Sequence, residues 1–363
     1  MVDSSQAAAS ERTRERRYRG LAIALMLVFP LVYAARLFTA PELDFHPAQP
    51  RFTQLIVITA GEWPDGGLPA TAAHARSASI EQTYAPARSS TGSAVSLWTG
   101  RYPMSHGVRD GAQRLSAGTW TLASAAQSAG TRTSAFLQEP LVSSSGLEGF
   151  DRVVEDAALT TDRAIELLAE ELGASPNERV CIWIHFAQPL ASELSRLREQ
   201  LFSEEFKAER GHECLIIQTG FRSTHAESPD TRARVPLFVE LPGGTAAGVA
   251  STGSASLVDL SGALCELLTL PRPGSGQPAL QSHGEELWRN LNGGGSFPWL
   301  FLESETGDVL RFGRTRVARR PDGSLKAEQT ALPRSDTGFR PAPHELAVQM
   351  NAQYEELVRQ LAD

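Results

Sequence analysis

The chain has 363 residues, 41% of them apolar and 21% charged, enough for one large domain or two ordinary ones and too apolar for a disordered chain. Its formal net charge of -8 is mild and spread along the sequence, which excludes the basic footprint of a nucleic-acid binder. Cys181, Cys214 and Cys265 each lie within an apolar run and show no zinc-site spacing, so they read as buried thiols, and their odd number excludes a disulfide scaffold.

Residues 1–19 contain Arg12, Arg14, Arg16, Arg17 and Arg19 and read as a basic cytoplasmic N-terminus. Residues 20–38 follow as an apolar segment, uncharged from Gly20 to Ala35. As a helix, that uncharged part reaches about 24 Å at 1.5 Å per residue. Leu37 and Phe38 extend it toward the hydrocarbon core of about 30 Å if Arg36 snorkels to the headgroups. Two export readings stand. One is an uncleaved signal anchor with the basic end in the cytoplasm; the other is a signal peptide cut after Val32-Tyr33-Ala34. The long basic lead and the Arg36 flank favour the anchor. The expectation is a single-pass membrane protein whose main domain is extracytoplasmic, periplasmic or extracellular.

Residues 39–51 hold Pro41, Pro47 and Pro50 and read as a linker. From residue 52 to 305, apolar strand candidates alternate with amphipathic helix candidates. The strands are Gln54–Thr59, Thr133–Leu137, Val180–Phe186, Cys214–Thr219, Pro236–Leu241 and Trp299–Glu303. The helices are Ser90–Trp98, Thr119–Ser128, Thr160–Leu172, Leu190–Phe206 and Ser256–Leu268. Near-continuous apolar strands between helices predict an α/β domain with a mostly parallel sheet sandwiched by helices. The stretches near Gly243–Gly253 and Gly274–Gly276 read as surface loops. Residues 306–363 complete the domain as a small antiparallel α+β part. There Val309–Arg319 pairs with a neighbouring strand, Asp322-Gly323 supplies a turn, and a closing helix from Pro343 to Leu361 carries Leu346, Met350, Tyr354 and Leu357 on one face.

Parallel α/β sheets place ligands at the carboxyl ends of their strands. One stretch there is specific: Ser90-Thr91-Gly92-Ser93-Ala94-Val95-Ser96-Leu97-Trp98-Thr99-Gly100-Arg101-Tyr102-Pro103, followed by His106-Gly107-Val108. Other signals follow in order. They are Thr119-Trp120-Thr121-Leu122-Ala123 with Ala129-Gly130-Thr131-Arg132-Thr133, then Gly149-Phe150-Asp151, then Trp183-Ile184-His185-Phe186 with Pro189. After them come Arg234-Val235-Pro236-Leu237 with Leu241-Pro242-Gly243, and Leu257-Val258-Asp259-Leu260 with Leu270-Pro271. Together, over about residues 52 to 272, these resemble the sulfatase family of the alkaline-phosphatase superfamily.

The resemblance implies hydrolysis of sulfate esters with a divalent cation, usually calcium, held by carboxylates at the ends of two strands. It implies a Cys or Ser nucleophile that is matured through a following Pro and Arg. Several of those positions depart from the family. Gly61 stands where the first strand should supply an aspartate. Gly220 and Phe221 stand where the later strand should run into Ser-Asp-His-Gly. Glycine has no side chain and the phenylalanine ring no lone pair to offer a metal. Gln188-Pro189-Leu190 replaces Asp-Pro-His, and Gly92 and Ala94 replace the maturation Pro and Arg. Ser90 occupies the nucleophile position, while Ser89, Ser90 and Thr91 together also read as helix caps. His106 matches a family position and is a candidate catalytic residue beside Ser90, with a loop-ordering role as its other reading, and His185 reads as a core histidine.

Arg88 and Arg101 flank the nucleophile helix and are candidate anion-binding residues. Glu62, Asp65, His225, Glu227 and Asp230 lie near the lost positions, with Glu62 and His225 as possible substitute ligands. The expectation is therefore a degenerate sulfatase-like protein, non-catalytic, needing no cofactor, and binding a protein partner or an anionic glycan. The alternative is a hydrolase of sulfate or phosphate esters that uses Ser90 and a divalent cation such as calcium in an altered site.

Overall fold

Seven consecutive buried residues, Gln54–Ala60, form β1 near the centre of an eight-stranded sheet. Successive side chains of a strand point to opposite faces. Accordingly Leu55 and Val57 enter one apolar core, and Ile56, Ile58 and Ala60 enter another. Both faces are thus covered, as the continuous apolar run requires. The computed structural model describes residues 53–64, 77–174, 178–201, 214–223, 233–242, 247–274, 280–282, 284–291, 298–304, 307–313, 315–320, 322–329, 340–342 and 344–362.

After β1 the order is β2 (Ala78–Tyr84), α1 (Ser90–Thr99), α2 (Pro103–His106), α3 (Leu122–Ser128), β3 (Arg132–Leu137), α4 (Leu141–Ser145), β4 (Arg152–Glu155), α5 (Thr161–Ala174), β5 (Val180–Phe186), α6 (Ala191–Leu201), β6 (Cys214–Gly220), β7 (Arg234–Glu240), β8 (Ala250–Ser256), α7 (Val258–Leu267) and α8 (Gly284–Leu291). The chain then forms β9 (Leu300–Ser304), β10 (Gly307–Phe312), β11 (Thr315–Arg319), β12 (Leu325–Gln329), β13 (Arg340–Pro341) and α9 (His344–Ala362). The large sheet runs β4-β3-β5-β1-β6-β7-β2-β8. Its pairs are parallel except where β7 meets β6 and β2. Residues of α1, α3 and α7 pack on one face, as Leu97, Leu122 and Leu264 show. Residues of α5 and α6 pack on the other, as Leu168 and Leu197 show.

The second sheet is antiparallel, in the order β13-β12-β11-β10-β9. One of its faces meets α9 through Phe301, Leu310, Val317, Met350 and Tyr354, and Leu346 and Leu357 pack against that cluster. The closing helix therefore uses the face its sequence predicts.

Several sequence expectations change. The strand candidate near Trp299–Glu303 is β9 and pairs in the small sheet. Val309–Arg319 is two strands, because Gly313 turns the chain at φ 53. Asp322-Gly323 does make a turn, between β11 and β12, with Gly323 at φ 81. The loop read near Gly243–Gly253 gives way to β8, which starts at Ala250. Its Ser-, Ala- and Gly-rich sequence carries no apolar alternation. Its order comes from parallel pairing with β2 and from Asn290 of α8, which donates to the Ser254 carbonyl at 2.9 Å. Tertiary context decides such strands more than intrinsic propensity does.

The basic lead (1–19), apolar segment (20–38) and linker (39–51) lie outside the described residues, as do Asp65, His225, Glu227 and Asp230. No helix among the described residues is long and apolar enough to cross a membrane.

Candidate functional site

The carboxyl ends of β1, β5 and β6 converge, as they do in any sheet whose neighbouring strands run parallel. Beyond β1, Gly61 donates its N–H to the Phe186 carbonyl and Glu62 to the Ala187 carbonyl, both at 2.8 Å. A side chain at residue 61 has no room, since its Cβ would stand 2.6 Å from the Ala187 carbonyl oxygen. At residue 220 a Cβ would meet the Trp63 side chain at 3.1 Å. Trp63 is 5% exposed and tilts against Phe238 with ring centroids 6.1 Å apart. Phe221, fully buried, stacks on His185 at 5.4 Å and 23°.

His185 closes the cluster from β5. Trp183 Nε1 donates to Thr59 Oγ1 at 2.8 Å, and Thr59 Oγ1 lies 2.9 Å from His185 Nδ1. His185 Nε2 lies 3.0 Å from a Glu139 carboxylate oxygen. One tautomer satisfies the whole chain of bonds: Nε2–H donates to Glu139, and Nδ1 accepts the Thr59 hydroxyl proton. Burial pushes the His185 pKa down against the opposing pull of Glu139. The histidine therefore stays neutral and satisfied in the core. The described side chains at these three strand ends are thus the rings of Trp63, Phe221 and His185.

A calcium ion takes six or more oxygen donors. Among the described residues no group of three or more His, Cys, Asp or Glu side chains could hold a metal ion. Glu62 points instead to Gln188, whose side-chain amide donates to it at 3.2 Å in an exposed contact. The described donor set does not fit the cation that sulfatases use.

The nucleophile position lies at the start of α1. Ser89 is the N-cap: it accepts from the Gly92 N–H at 2.9 Å and donates to the Arg109 carbonyl at 2.6 Å. Ser90 is thus the first helical residue, partly exposed, and among the described residues its hydroxyl makes no hydrogen bond. Gly92 could not carry the family's proline, because a Cβ there would stand 2.7 Å from the Ala87 methyl group. His106 is buried. Its Nδ1 accepts the Val108 N–H at 3.1 Å, so Nε2 carries the proton toward Ser96 Oγ at 2.9 Å. Burial first, then the charges of Arg101 and Arg109, hold its pKa down to about 3. It orders the turn after α2 and stays uncharged near neutrality.

The anion-binding candidates separate. Arg101 donates to the Ser105 carbonyl at 2.6 Å and is half-buried, so it braces the turn. Arg88 is exposed and immediately precedes the N-cap. Arg109, which sequence reasoning missed, joins it at that end of the helix through the bond from Ser89 to its carbonyl. Its Nε lies 3.3 Å from a carboxylate oxygen of Glu303, whose side chain is only 3% exposed. Glu303 in turn stands directly opposite Asp308 in the β9–β10 ladder. An acidic residue closing the apolar run Leu300-Phe301-Leu302-Glu303 was the available signal, since a buried charge normally has a partner.

No family model matches this sequence, and no curated protein matches it. Solved structures do resemble the fold. An alkaline phosphatase superfamily protein from Vibrio parahaemolyticus aligns with a TM-score of 0.64 at 13% identity, over 86% of this chain and 88% of its own. The phosphonate monoester hydrolase of Agrobacterium radiobacter aligns at 0.64 and 15%, over 85% and 96%. BT1596, a 2-O GAG sulfatase, aligns at 0.66 and 13%, over 86% and 93%. Identity this low speaks to architecture alone, and the architecture of this chain is the sulfatase-like fold of the alkaline-phosphatase superfamily.

Proposed function

We propose that this chain is a sulfatase-like protein that has given up ester hydrolysis and uses the face around the start of α1 to hold an oxyanion, such as a sulfate or phosphate group of an anionic glycan. One observation carries this reading: Trp63, Phe221 and His185 pack the strand ends where a hydrolase of this fold would hold its cation. A sulfate ester leaves slowly unless charge on its oxygens is offset, and a cation is the usual means. What the site retains is suited to binding. Arg88 and Arg109 flank a helix start, whose N–H groups and dipole favour negative charge. The sulfatase among the structural neighbours, named for its action on GAG, supports a glycan as the bearer of that charge. In this reading residues 20–38 tether the domain to a membrane and place it outside the cytoplasm.

The second reading, a hydrolase with Ser90 as nucleophile, draws on the unbonded and partly exposed Ser90 hydroxyl. One experiment separates the two. The full chain is purified, its bound metal is measured by mass spectrometry, and turnover of an aryl sulfate and an aryl phosphate is followed. The expected result is no stoichiometric metal and no turnover above that of Ser90→Ala. Stoichiometric calcium, zinc or manganese, with activity lost in Ser90→Ala, overturns the binding reading. His106→Ala gives a further check. It removes the acceptor for Val108 N–H and the partner of Ser96, and should lower stability by roughly 1–3 kcal/mol in denaturant unfolding.

A further inference from the structure

Glu303 is out of place as an ordinary ion-pair partner. Its side chain is almost wholly buried, yet neither carboxylate oxygen accepts a hydrogen bond. Among the described residues its single ion contact is Arg109 Nε at 3.3 Å. Directly across the ladder stands Asp308, a like charge on the neighbouring strand, and such facing pairs repel. The groups around the two carboxyls come from four other segments. Arg88 and Arg109 flank α1 and α2, Arg319 lies on β11, and Tyr354 of α9 feels the Asp308 charge. Arg319 is itself committed, with its guanidinium 5.3 Å from the Tyr354 ring centroid and 3.9 Å from Glu355.

We propose that Glu303 competes with the bound oxyanion for Arg109: ionised, it holds the guanidinium; protonated, it releases it, so that the Arg88–Arg109 face binds an oxyanion more tightly as pH falls. The inference rests on the oxyanion-binding reading above and adds its regulation. Burial raises the Glu303 pKa to about 7, and the Asp308 charge adds to the rise while Arg109 and Arg88 oppose it. Asp308 is raised too, chiefly by burial. Glu303 therefore takes up a proton as pH falls, and that uptake removes negative charge that faces the arginines. Binding of the oxyanion draws a proton onto Glu303 from solvent, and its release returns that proton.

The test measures binding of inorganic sulfate to the full chain by calorimetry at pH 5.5 and 8.5, at constant ionic strength. Affinity should be about fivefold higher at the lower pH, the size of one partly exposed ion pair. Glu303→Gln should bind at pH 8.5 as tightly as the unaltered chain does at pH 5.5, with no remaining pH dependence. Asp308→Asn, which removes the facing charge, should move the midpoint of the wild-type curve to lower pH. It also serves if Glu303→Gln fails to fold. Equal affinity at both pH values, or a pH dependence that survives in Glu303→Gln, overturns the gate and leaves the oxyanion reading standing. Sulfate binding absent at every pH in all three proteins overturns the oxyanion reading, and the gate falls with it.

Discussion

Phe221→Asp, which places an acidic residue where the resemblance to sulfatases calls for one, should destabilise the protein and create no calcium site. The ring it removes is fully buried and stacked on His185. Truncating a buried phenylalanine costs about 3–5 kcal/mol, and a carboxylate placed in the hole adds the cost of desolvating a charge. A loss of roughly 5 kcal/mol or more should appear as a fall of about 10 °C or more in the unfolding midpoint. Adding Gly61→Asp should make matters worse, since its Cβ would collide with a backbone oxygen that belongs to the adjoining strand end. Differential scanning calorimetry with and without calcium checks both. If calcium raises the midpoint of the double variant by several degrees while leaving the unaltered chain unchanged, the aromatic packing is a thin replacement for a cation site and this account is wrong.

The second large effect lies away from the site. Gly149→Ala should abolish stable folding, or lower stability by roughly 4 kcal/mol or more. Gly149 has φ 97, and its Cβ would stand 2.1 Å from the Ser124 nitrogen in α3. The cause is local. Phe150 packs edge-on to Trp98 at 5.1 Å and against Trp183 at 5.9 Å. Asp151 accepts the Thr133 N–H at 2.9 Å and the Thr133 hydroxyl proton at 3.0 Å. Phe150 and Asp151 clamp the loop to the sheet, so Gly149 has no freedom to move off α3. Gly118→Ala is the control. It also has a positive φ, of 74, but open space around it, so it should cost only about 1–2 kcal/mol. Equal losses for the two substitutions, measured by denaturant unfolding, would show that backbone conformation rather than contact governs Gly149.

The same clamp explains why Gly149-Phe150-Asp151 is legible in the sequence at all. It is a local device: one glycine where the chain touches a helix, one ring into the core, one carboxylate back onto β3. The strand β5 was equally legible, with Val180–Phe186 predicted and found, because a run of apolar residues between helices has few other places to go. α1 was legible from its serine cap and apolar repeat, and so was the helix that closes the chain.

The sequence by itself determined the two-sided sheet, most of its strands, the position of Ser90 at a helix start, and the presence of Gly61, Gly220 and Phe221 at the ends of two central strands. Composition and periodicity act within a few residues, and these features are local. Only the tertiary structure decided what packs at those strand ends. Trp63, Phe221 and His185 come from three strand ends that meet only when β1, β5 and β6 align in parallel. It also decided that Ser89, not Ser90, caps α1, that Arg101 braces a turn, and that β8 forms from a stretch with no strand pattern. The Glu303–Arg109 contact belongs to the same class. It exists because the small sheet returns β9 to the loops beside α1, where the Glu303 N–H meets the Pro86 carbonyl at 2.9 Å. No spacing in the chain encodes a contact that depends on how two sheets dock, so the scaffold was readable and these contacts were not.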